Sequence, residues 1–424
     1  MNLKIYPLEK IQGEVSLPAS KSYSIRAFII AACGGLSTIM FPSDCDDAKA
    51  AMMVAKAFGA RVRKIKDGYA IDALVRKNAR FCASTIDVAE SGTSLRFVLP
   101  LLPFYAQIAT VVGKGTLVGR PNKHLCESLR SIGLNIRGDG DKESVPIRYT
   151  GGKISGGRVV IDGSVSSQFV SALLIALPRV AEDTRLIVSG KMLVSQDYVI
   201  MTRQILEKAG VTVTPKGPRE FQIPGGQEFK GLKDFHVPSD DGLAAFFMSA
   251  AAIMPSHIVL KGHFDHKLVQ SDSAILPFLK KMGVRFTRTD ATMRLNGPFA
   301  LKGGVFSLKN CPDLVPIMAV TAMFAKGITR LKDIGHARVK ESDRITDLRK
   351  ELQKVGADIT EKNAELIIRP KAVYKTGVTL DPHHDHRLAM AFAILGLRIG
   401  VTVKDMECTA KSYPGFVKAF KTLT

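Results

Sequence analysis

The chain has 424 residues, 46% of them hydrophobic and 23% charged. This ordinary globular balance excludes a disordered tail, a collagen-like rod and a disulfide-stapled mini-protein, and at about 150 residues per domain it predicts two or three domains. The formal net charge of +21 points to an anionic partner: nucleic acid, an acidic membrane surface or phosphorylated metabolites.

The opening MNLKIYPLEKIQGEVS has no apolar signal core, so no secretory leader is expected, and LKIYPL and GEVSLP read as strands. An apolar helical run begins near Ser24 (SIRAFIIAA), and an amphipathic one, AMMVAKAFGARVRK, follows with Gly59 before a β-like run. The pair then recurs. SLRFVLPLL begins at Ser94 and LCESLRSIGLNIRG ends its helix at Gly133. FVSALLIAL (Phe169) is followed by MTRQILEKAGVTVTP with Gly210, and LAAFFMSAA (Leu243) by ILPFLKKMGVRFTR with Gly283. VPIMAVTAM (Val315) is followed by LRKELQKVGADITE with Gly356, and LAMAFAILG (Leu388) by FVKAFKTLT.

The five glycines are 74, 77, 73 and 73 residues apart, and the six apolar starts are 70, 75, 74, 72 and 73 apart. Glycine just past a helix is the expected left-handed cap, and a near-constant period marks an internal repeat. The first helix of each pair is apolar on most faces and is expected to be deeply buried. RVVIDG, TRLIVSG, HIVLKG, ELIIRP and VTVKD read as strands between them. The unit is strand, buried helix, strand, amphipathic helix, strands, repeated six times. The sixth lacks its end, and the two N-terminal strands are expected to complete it. This predicts an α/β protein of two three-unit domains, 19–237 and 238–424 plus 1–18, connected by two chain crossings.

The longest mainly apolar run, Phe97 to Val112, has 16 residues and holds Pro100, Pro103 and Gln107, so no membrane span is expected. Six cysteines without a CxxC pair predict free thiols in a reducing cytoplasm, with neither a disulfide framework nor a zinc site. Trp is absent and aromatics are 7%, which leaves few platforms for stacking single-stranded nucleic acid.

Polar residues cluster just before the helices. SKS (20–22), ESGT (90–93), SVSSQ (164–168), PSDDG (238–242), CPD (311–313) and DPHHDHR (381–387) precede the buried ones. SDCDD (43–47), GRP (119–121), SQDY (195–198), RVKESDR (338–344) and TAKSYPG (409–415) precede the amphipathic ones. Ser and Asp there are ordinary N-caps. Cations are not: Lys21, Arg120, Lys340, Arg344, Arg387 and Lys411 lie near expected helix N-termini, where the dipole disfavours them by about 0.3–1 kcal/mol. Six such residues point to small, highly anionic ligands held by helix N-termini and charge-assisted clamps. Asp313 and Glu341 stand among these cations; as bland features they are an N-cap and a surface ion pair, and as chemistry they are groups that move protons. No phosphate-binding GxxxxGK[ST] occurs, GKGTLVG (113–119) has the wrong spacing for GxGxxG, and His383, His384 and His386 lack a distant ligand for a metal.

Over nearly its whole length, in PASKSYSIRA, SGTSLR, GRP, SSQF, RVKESDRI, DHRLAM and CTAKSYPG, the chain resembles the 5-enolpyruvylshikimate-3-phosphate synthases. The resemblance implies a two-domain inside-out α/β barrel of six βαβαββ repeats, three per domain, with buried helices in each domain core and the active site in the cleft. It implies transfer of the enolpyruvyl group of phosphoenolpyruvate to the 5-hydroxyl of shikimate 3-phosphate, by addition and then elimination of phosphate. No cofactor, metal, nucleic acid or membrane is implied; the partners are the two small substrates, and a cytoplasmic monomer is expected. By motif, Lys21, Gly92, Arg120, Gln168, Arg344, His386, Arg387 and Lys411 would hold phosphoenolpyruvate. Lys21, Ser22, Arg26, Ser166, Ser167, Gln168, Ser195, Tyr198, Asp313, His336 and Lys340 would hold shikimate 3-phosphate. Asp313 would handle the 5-hydroxyl proton and Glu341 the methylene proton, with Lys21 near the reacting centre.

Three places depart from the family pattern: Glu90 stands for an Asn, His336 for another Asn, and Gln196-Asp197 for a basic-Pro pair. One rival reading is the sister enolpyruvyl transferase acting on UDP-N-acetylglucosamine, which carries a catalytic Cys ahead of its Arg-Pro; here that stretch is GKGTLVGRP and Cys126 lies beyond it. The other is a basic RNA-binding repeat protein, favoured by the +21 charge and opposed by the scarcity of aromatics.

Overall fold

A computed structural model describes residues 1–74, 84–191 and 193–423. Cys82 lies outside them; among the described residues no disulfide joins Cys33, Cys45, Cys126, Cys311 or Cys408. The described chain forms two compact units, Ser20–Val237 and Met1–Ala19 with Pro238–Thr424.

In the unit Ser20–Val237 the repeat is plainest between residues 85 and 152. Thr85–Asp87 runs parallel to Ala109–Val112, which pairs antiparallel with Ser144–Gly152, which pairs with Leu134–Asp139. Gly92–Val98 is the buried crossover helix and Lys123–Ser131 the amphipathic one. The strands Gly157–Asp162, Thr184–Ser189, Glu220–Ile223 and Thr214–Pro215 repeat the order. In the other unit, Val305–Ser307, Thr329–Lys332, Glu365–Arg369 and Asp358–Lys362 repeat it again. Each of the five repeat glycines takes a left-handed φ, from +80° at Gly210 to +103° at Gly133, and the chain turns there from helix into strand.

The two N-terminal strands part company, which corrects the expectation that both complete the last unit. Leu3–Ile5 does close the sixth sheet, antiparallel to Val401–Val403. Ile11–Ser16 instead lies parallel to Ser256–Lys261 in the fourth. The opening strand of the first sheet comes from far downstream: Phe235–His236 pairs with Ile39 and Met40. Each of these two strands therefore precedes one buried helix in sequence yet pairs in the sheet of another repeat. Nothing in the strand itself announces this. Ile11 and Val15 alternate with exposed residues, and that pattern fits either sheet.

The buried helices explain themselves by composition. Asp241–Ile253 (DGLAAFFMSAAAI) has no polar face, and all 13 of its residues are buried. Phe247 contacts the rings of Tyr413 and Phe416. Burial of such rings contributes about 1.5–3 kcal/mol each. In Lys21–Ala31 the residues outside the buried set are Lys21 and Ser22. In Ser167–Ala176 it is Gln168, and in Gly92–Val98 it is Thr93. The apolar bodies fix the helices, and their first turns are left for chemistry.

Candidate functional site

Several helix starts are capped as their sequences suggest. Ser20 accepts from Tyr23 N, Ser91 from Ser94 N, Ser166 from Gln168 N, Asp240 from Leu243 N and Asp385 from Arg387 N. Lys21 is the first residue of its helix, and its Nζ donates to Asp47 Oδ2 at 3.0 Å. One turn on, Arg26 is 1% exposed. Its Nε donates to Thr202 Oγ1 at 2.9 Å, Nη1 to Ser22 O at 3.1 Å and Nη2 to Tyr198 O at 3.2 Å. Arg26 thus joins the start of helix Lys21–Ala31 to the start of Gln196–Lys208, which bears Tyr198 and follows Ser195 at φ +56°. Burial lowers its guanidinium to about 10.

A second cluster in the same unit gathers Gly92, Arg120 and Gln168. A Cβ on Gly92 would sit 3.0 Å from Arg120 Nη1, so glycine allows the guanidinium to lie against the helix start. Gln168 Nε2 donates to Thr93 Oγ1 at 2.9 Å, and Gln168 Oε1 accepts from Arg96 Nη1 at 2.5 Å. Arg96 also donates to Asn122 Oδ1 at 3.2 Å and Pro121 O at 3.3 Å. This buried arginine ties the three segments together, and motif reasoning left it out. Its one sequence signal, a cation in the run SLRFVLPLL, does not separate it from a stray arginine. Ser167 is buried beside Gln168.

In the other unit Asp313, Lys340, Glu341, Arg344 and Arg387 form one ionic network. Arg344 is 1% exposed; it donates to Asp313 Oδ1 at 2.6 Å, Glu341 Oε2 at 2.7 Å and Asp385 Oδ2 at 2.7 Å. Arg387 Nη2 reaches Asp313 Oδ2 at 3.3 Å, and Lys340 Nζ lies 3.9 Å from Asp313 Oδ1. Asp313 is therefore not an N-cap, and Glu341 is in a largely buried pair rather than a surface one. Burial pushes the Asp313 carboxyl up, but Arg344, Arg387 and Lys340 outweigh it and hold it well below the usual carboxylate range.

Three further groups lie in the same unit. His336 is buried, and both ring nitrogens lack a hydrogen-bond partner among the described residues. Burial, and then Lys340, bring its imidazole down to about 3, so it is neutral. His386 is 1% exposed with Nδ1 4.0 Å from Asp385 Oδ1. Asp272, which sequence reasoning missed, is buried with Oδ2 3.7 Å from Arg387 Nη2. Burial and Asp313 push its carboxyl up to about 7. Gly242 makes room for it, since a Cβ there would overlap the Asp272 carboxylate.

Lys340 follows the 3-10 turn Gly335–Val339 ahead of the helix Thr346–Lys354, and Lys411 closes the turn Met406–Lys411 ahead of the helix Phe416–Lys421. In both repeats a short turn intervenes before the amphipathic helix. The histidine cluster also disperses: His383 pairs with Glu351 and His384 with Asp405. Among the described residues no three His, Cys, Asp or Glu side chains gather as a metal site. Buried arginines around an ionised carboxylate suit anionic ligands and proton transfer at one oxygen.

The sequence profile of the EPSP synthases (3-phosphoshikimate 1-carboxyvinyltransferases) matches residues 5–420. The 3-phosphoshikimate 1-carboxyvinyltransferase of Methanosarcina mazei is 37% identical over 419 residues, covering 97% of this chain and 96% of that one. That of Clostridium beijerinckii is 33% identical over 432 residues, 100% and 97% respectively. Among solved structures, the EPSP synthase of Acinetobacter baumannii superposes with a TM-score of 0.81 at 26% identity, covering 99% of this chain and 97% of that one. The enolpyruvyl transferase NikO of Streptomyces tendae, at 18% identity and a TM-score of 0.80 over 100% of this chain and 97% of its own, shares the fold.

Proposed function

The chain belongs to the EPSP synthase family, and from that premise we propose that its two clusters serve one reaction, in which the enolpyruvyl group of phosphoenolpyruvate passes to the 5-hydroxyl of shikimate 3-phosphate. The observation that carries the residue assignment is Asp313, an ionised carboxylate beside Arg344, Arg387 and Lys340. Asp313 accepts the 5-hydroxyl proton as that oxygen bonds to C2 of phosphoenolpyruvate. Glu341 delivers a proton to the methylene carbon and removes one again when the C2–O bond to phosphate breaks. Lys21 stands near the reacting centre. Lys21, Gly92, Arg120, Gln168, Arg344, His386, Arg387 and Lys411 hold phosphoenolpyruvate. Lys21, Ser22, Arg26, Ser166, Ser167, Gln168, Ser195, Tyr198, Asp313, His336 and Lys340 hold shikimate 3-phosphate. Each substrate brings a phosphate and a carboxylate, and fixed cations offset the cost of bringing two anions together.

Arg26 acts in this reading by fixing the Ser22 and Tyr198 backbones as well as by charge. Neutral His336 offers both a donor and an acceptor to a hydroxyl. The reading includes a monomer working in the cytoplasm; no helix of the described residues is long and apolar enough to cross a membrane. The UDP-sugar alternative is disfavoured by Cys126, which is fully buried with its thiol pushed up by burial and Glu143.

Purified protein given both substrates should release inorganic phosphate. Lys21→Met, Asp313→Ala and Glu341→Ala should each lower turnover by about 10²–10⁴-fold while remaining folded by circular dichroism. Wild-type-like rates in all three would overturn the residue assignment. Release with UDP-N-acetylglucosamine instead, or tight salt-sensitive RNA binding without release, would overturn the reaction.

A further inference from the structure

Glu90 is the acid that replaces the family's Asn, and GKGTLVG (113–119) is the glycine-rich run that fits no nucleotide motif. The structure puts the two together. Glu90 Oε2 accepts from Thr116 N at 3.1 Å and from Thr116 Oγ1 at 2.9 Å. A Cβ on Gly115, at φ +54°, would overlap the Glu90 carboxylate, so this glycine makes the approach possible. Backbone bonds close the same seam: Val88 N donates to Val112 O at 3.0 Å and Lys114 N to Ala89 O at 2.9 Å. A Cβ on Gly113 would lie 2.9 Å from Ala89 O, so that contact too requires glycine.

Each side of the seam runs directly into one residue of the phosphoenolpyruvate group. Glu90 is followed two positions later by Gly92, and Thr116 four positions later by Arg120. Beyond the seam the loop is open: Val118 is 60% exposed, and Gly119 has nothing within 4 Å of its Cβ position. Arg120 N then donates to Leu117 O at 3.2 Å, and its guanidinium returns to within 3.0 Å of the Gly92 Cβ position.

We propose that Glu90 is a positioning residue, whose carboxylate latches Thr116 and so holds the Arg120 loop with its guanidinium against Gly92. This rests on the reading above that Arg120 grips phosphoenolpyruvate. A clamp held in place before binding aligns its anion without a search, and a misplacement of about 1 Å costs up to a hundredfold. The latch also occupies a negative charge that would otherwise stand free near an anion site. An amide oxygen accepts the same two bonds without the charge, so the role is in the acceptor geometry.

The test is steady-state kinetics with both substrates on the full chain. Glu90→Ala should raise KM for phosphoenolpyruvate by about ten- to a hundredfold, with kcat and KM for shikimate 3-phosphate within about threefold. Glu90→Gln should recover most of that loss. Thr116→Val keeps the backbone donor, loses the hydroxyl and should fall between the two; it also reports on the latch if Glu90→Ala does not fold. In an Arg120→Ala background, Glu90→Ala should add less than about twofold, because both act through one guanidinium. An unchanged KM for phosphoenolpyruvate in Glu90→Ala and Thr116→Val overturns the latch, as does full additivity with Arg120→Ala. An unchanged KM in Arg120→Ala alone overturns the underlying assignment of Arg120 instead.

Discussion

Asp385 is the most buried of the three carboxylates paired with Arg344, and its removal tests how the Arg344 network is held. Its side chain is 0% exposed; it accepts from Arg344 Nε at 2.7 Å and Nη2 at 3.3 Å, and from Arg387 N at 2.8 Å as the helix cap. Asp385→Asn keeps a capping oxygen and removes the charge. Breaking a buried pair by deleting one partner costs about 3–5 kcal/mol, and Arg344 keeps Asp313 and Glu341, so the lower end, about 3 kcal/mol, is expected. Asp385→Ala loses the cap as well, worth about 1 kcal/mol more. At about 2–4 °C per kcal/mol for a unit of this size, Asp385→Asn should lower Tm by roughly 6–12 °C and Asp385→Ala by a few degrees beyond that. The assay is calorimetry at neutral pH with urea unfolding in parallel. A loss under about 1 kcal/mol for Asp385→Asn would refute the claim that this pair holds Arg344. Equal losses in the two variants would refute the cap.

Two further expectations concern pH. Asp272 titrates at about 7 in the folded chain, above its unfolded value, among Asp313, Arg387, Asp240 and Lys340. Its contribution is therefore fully present below about pH 4 and lost as pH rises through about 7. Asp272→Asn removes this titration, so its Tm relative to wild type should rise between pH 5 and pH 8; a constant difference by scanning fluorimetry would contradict it. His336 moves the opposite way, from 6.5 to about 3 on folding, so stability present above pH 6.5 falls away as the solution is acidified. His336→Gln should lose less stability than wild type between pH 6.5 and pH 4, and parallel urea midpoints across that range would rule this out.

Much of the fold was legible because its signal is local. A helix with no polar face, such as Asp241–Ile253, has one physical solution, and a left-handed glycine at its partner's end marks where strand resumes. The candidate groups were legible as side chains breaking an apolar pattern: Lys21, Gln168 and Arg344 each do so. What stayed hidden is set by distant pairing. Arg96 and Asp272 have no local oddity strong enough to distinguish them from a stray cation or a turn acid, and their roles come from Gln168, Asn122 and Arg387. Strand exchange was hidden for the same reason, since Ile11 and Val15 bury themselves equally well in any sheet with a vacant edge. The basic surplus remains partly outside the site: Arg61, Arg63 and Lys64 are exposed on an edge strand, where charge discourages edge-to-edge association.

The exchanged strands also set a timetable for synthesis. Every described strand of the unit 20–237 has been synthesised once His236 is made, so that unit can close while the ribosome is still working on the rest of the chain. Leu3–Ile5, made before that unit, finds its partner only at Val401–Val403, about 20–80 s after its own synthesis at ordinary elongation rates. Ile11 and Val15 wait uncovered in the meantime, until Ser256–Lys261 arrives. Residues 3–5 and 11–16 are thus among the last to be put away, although they are made before the whole of the unit 20–237.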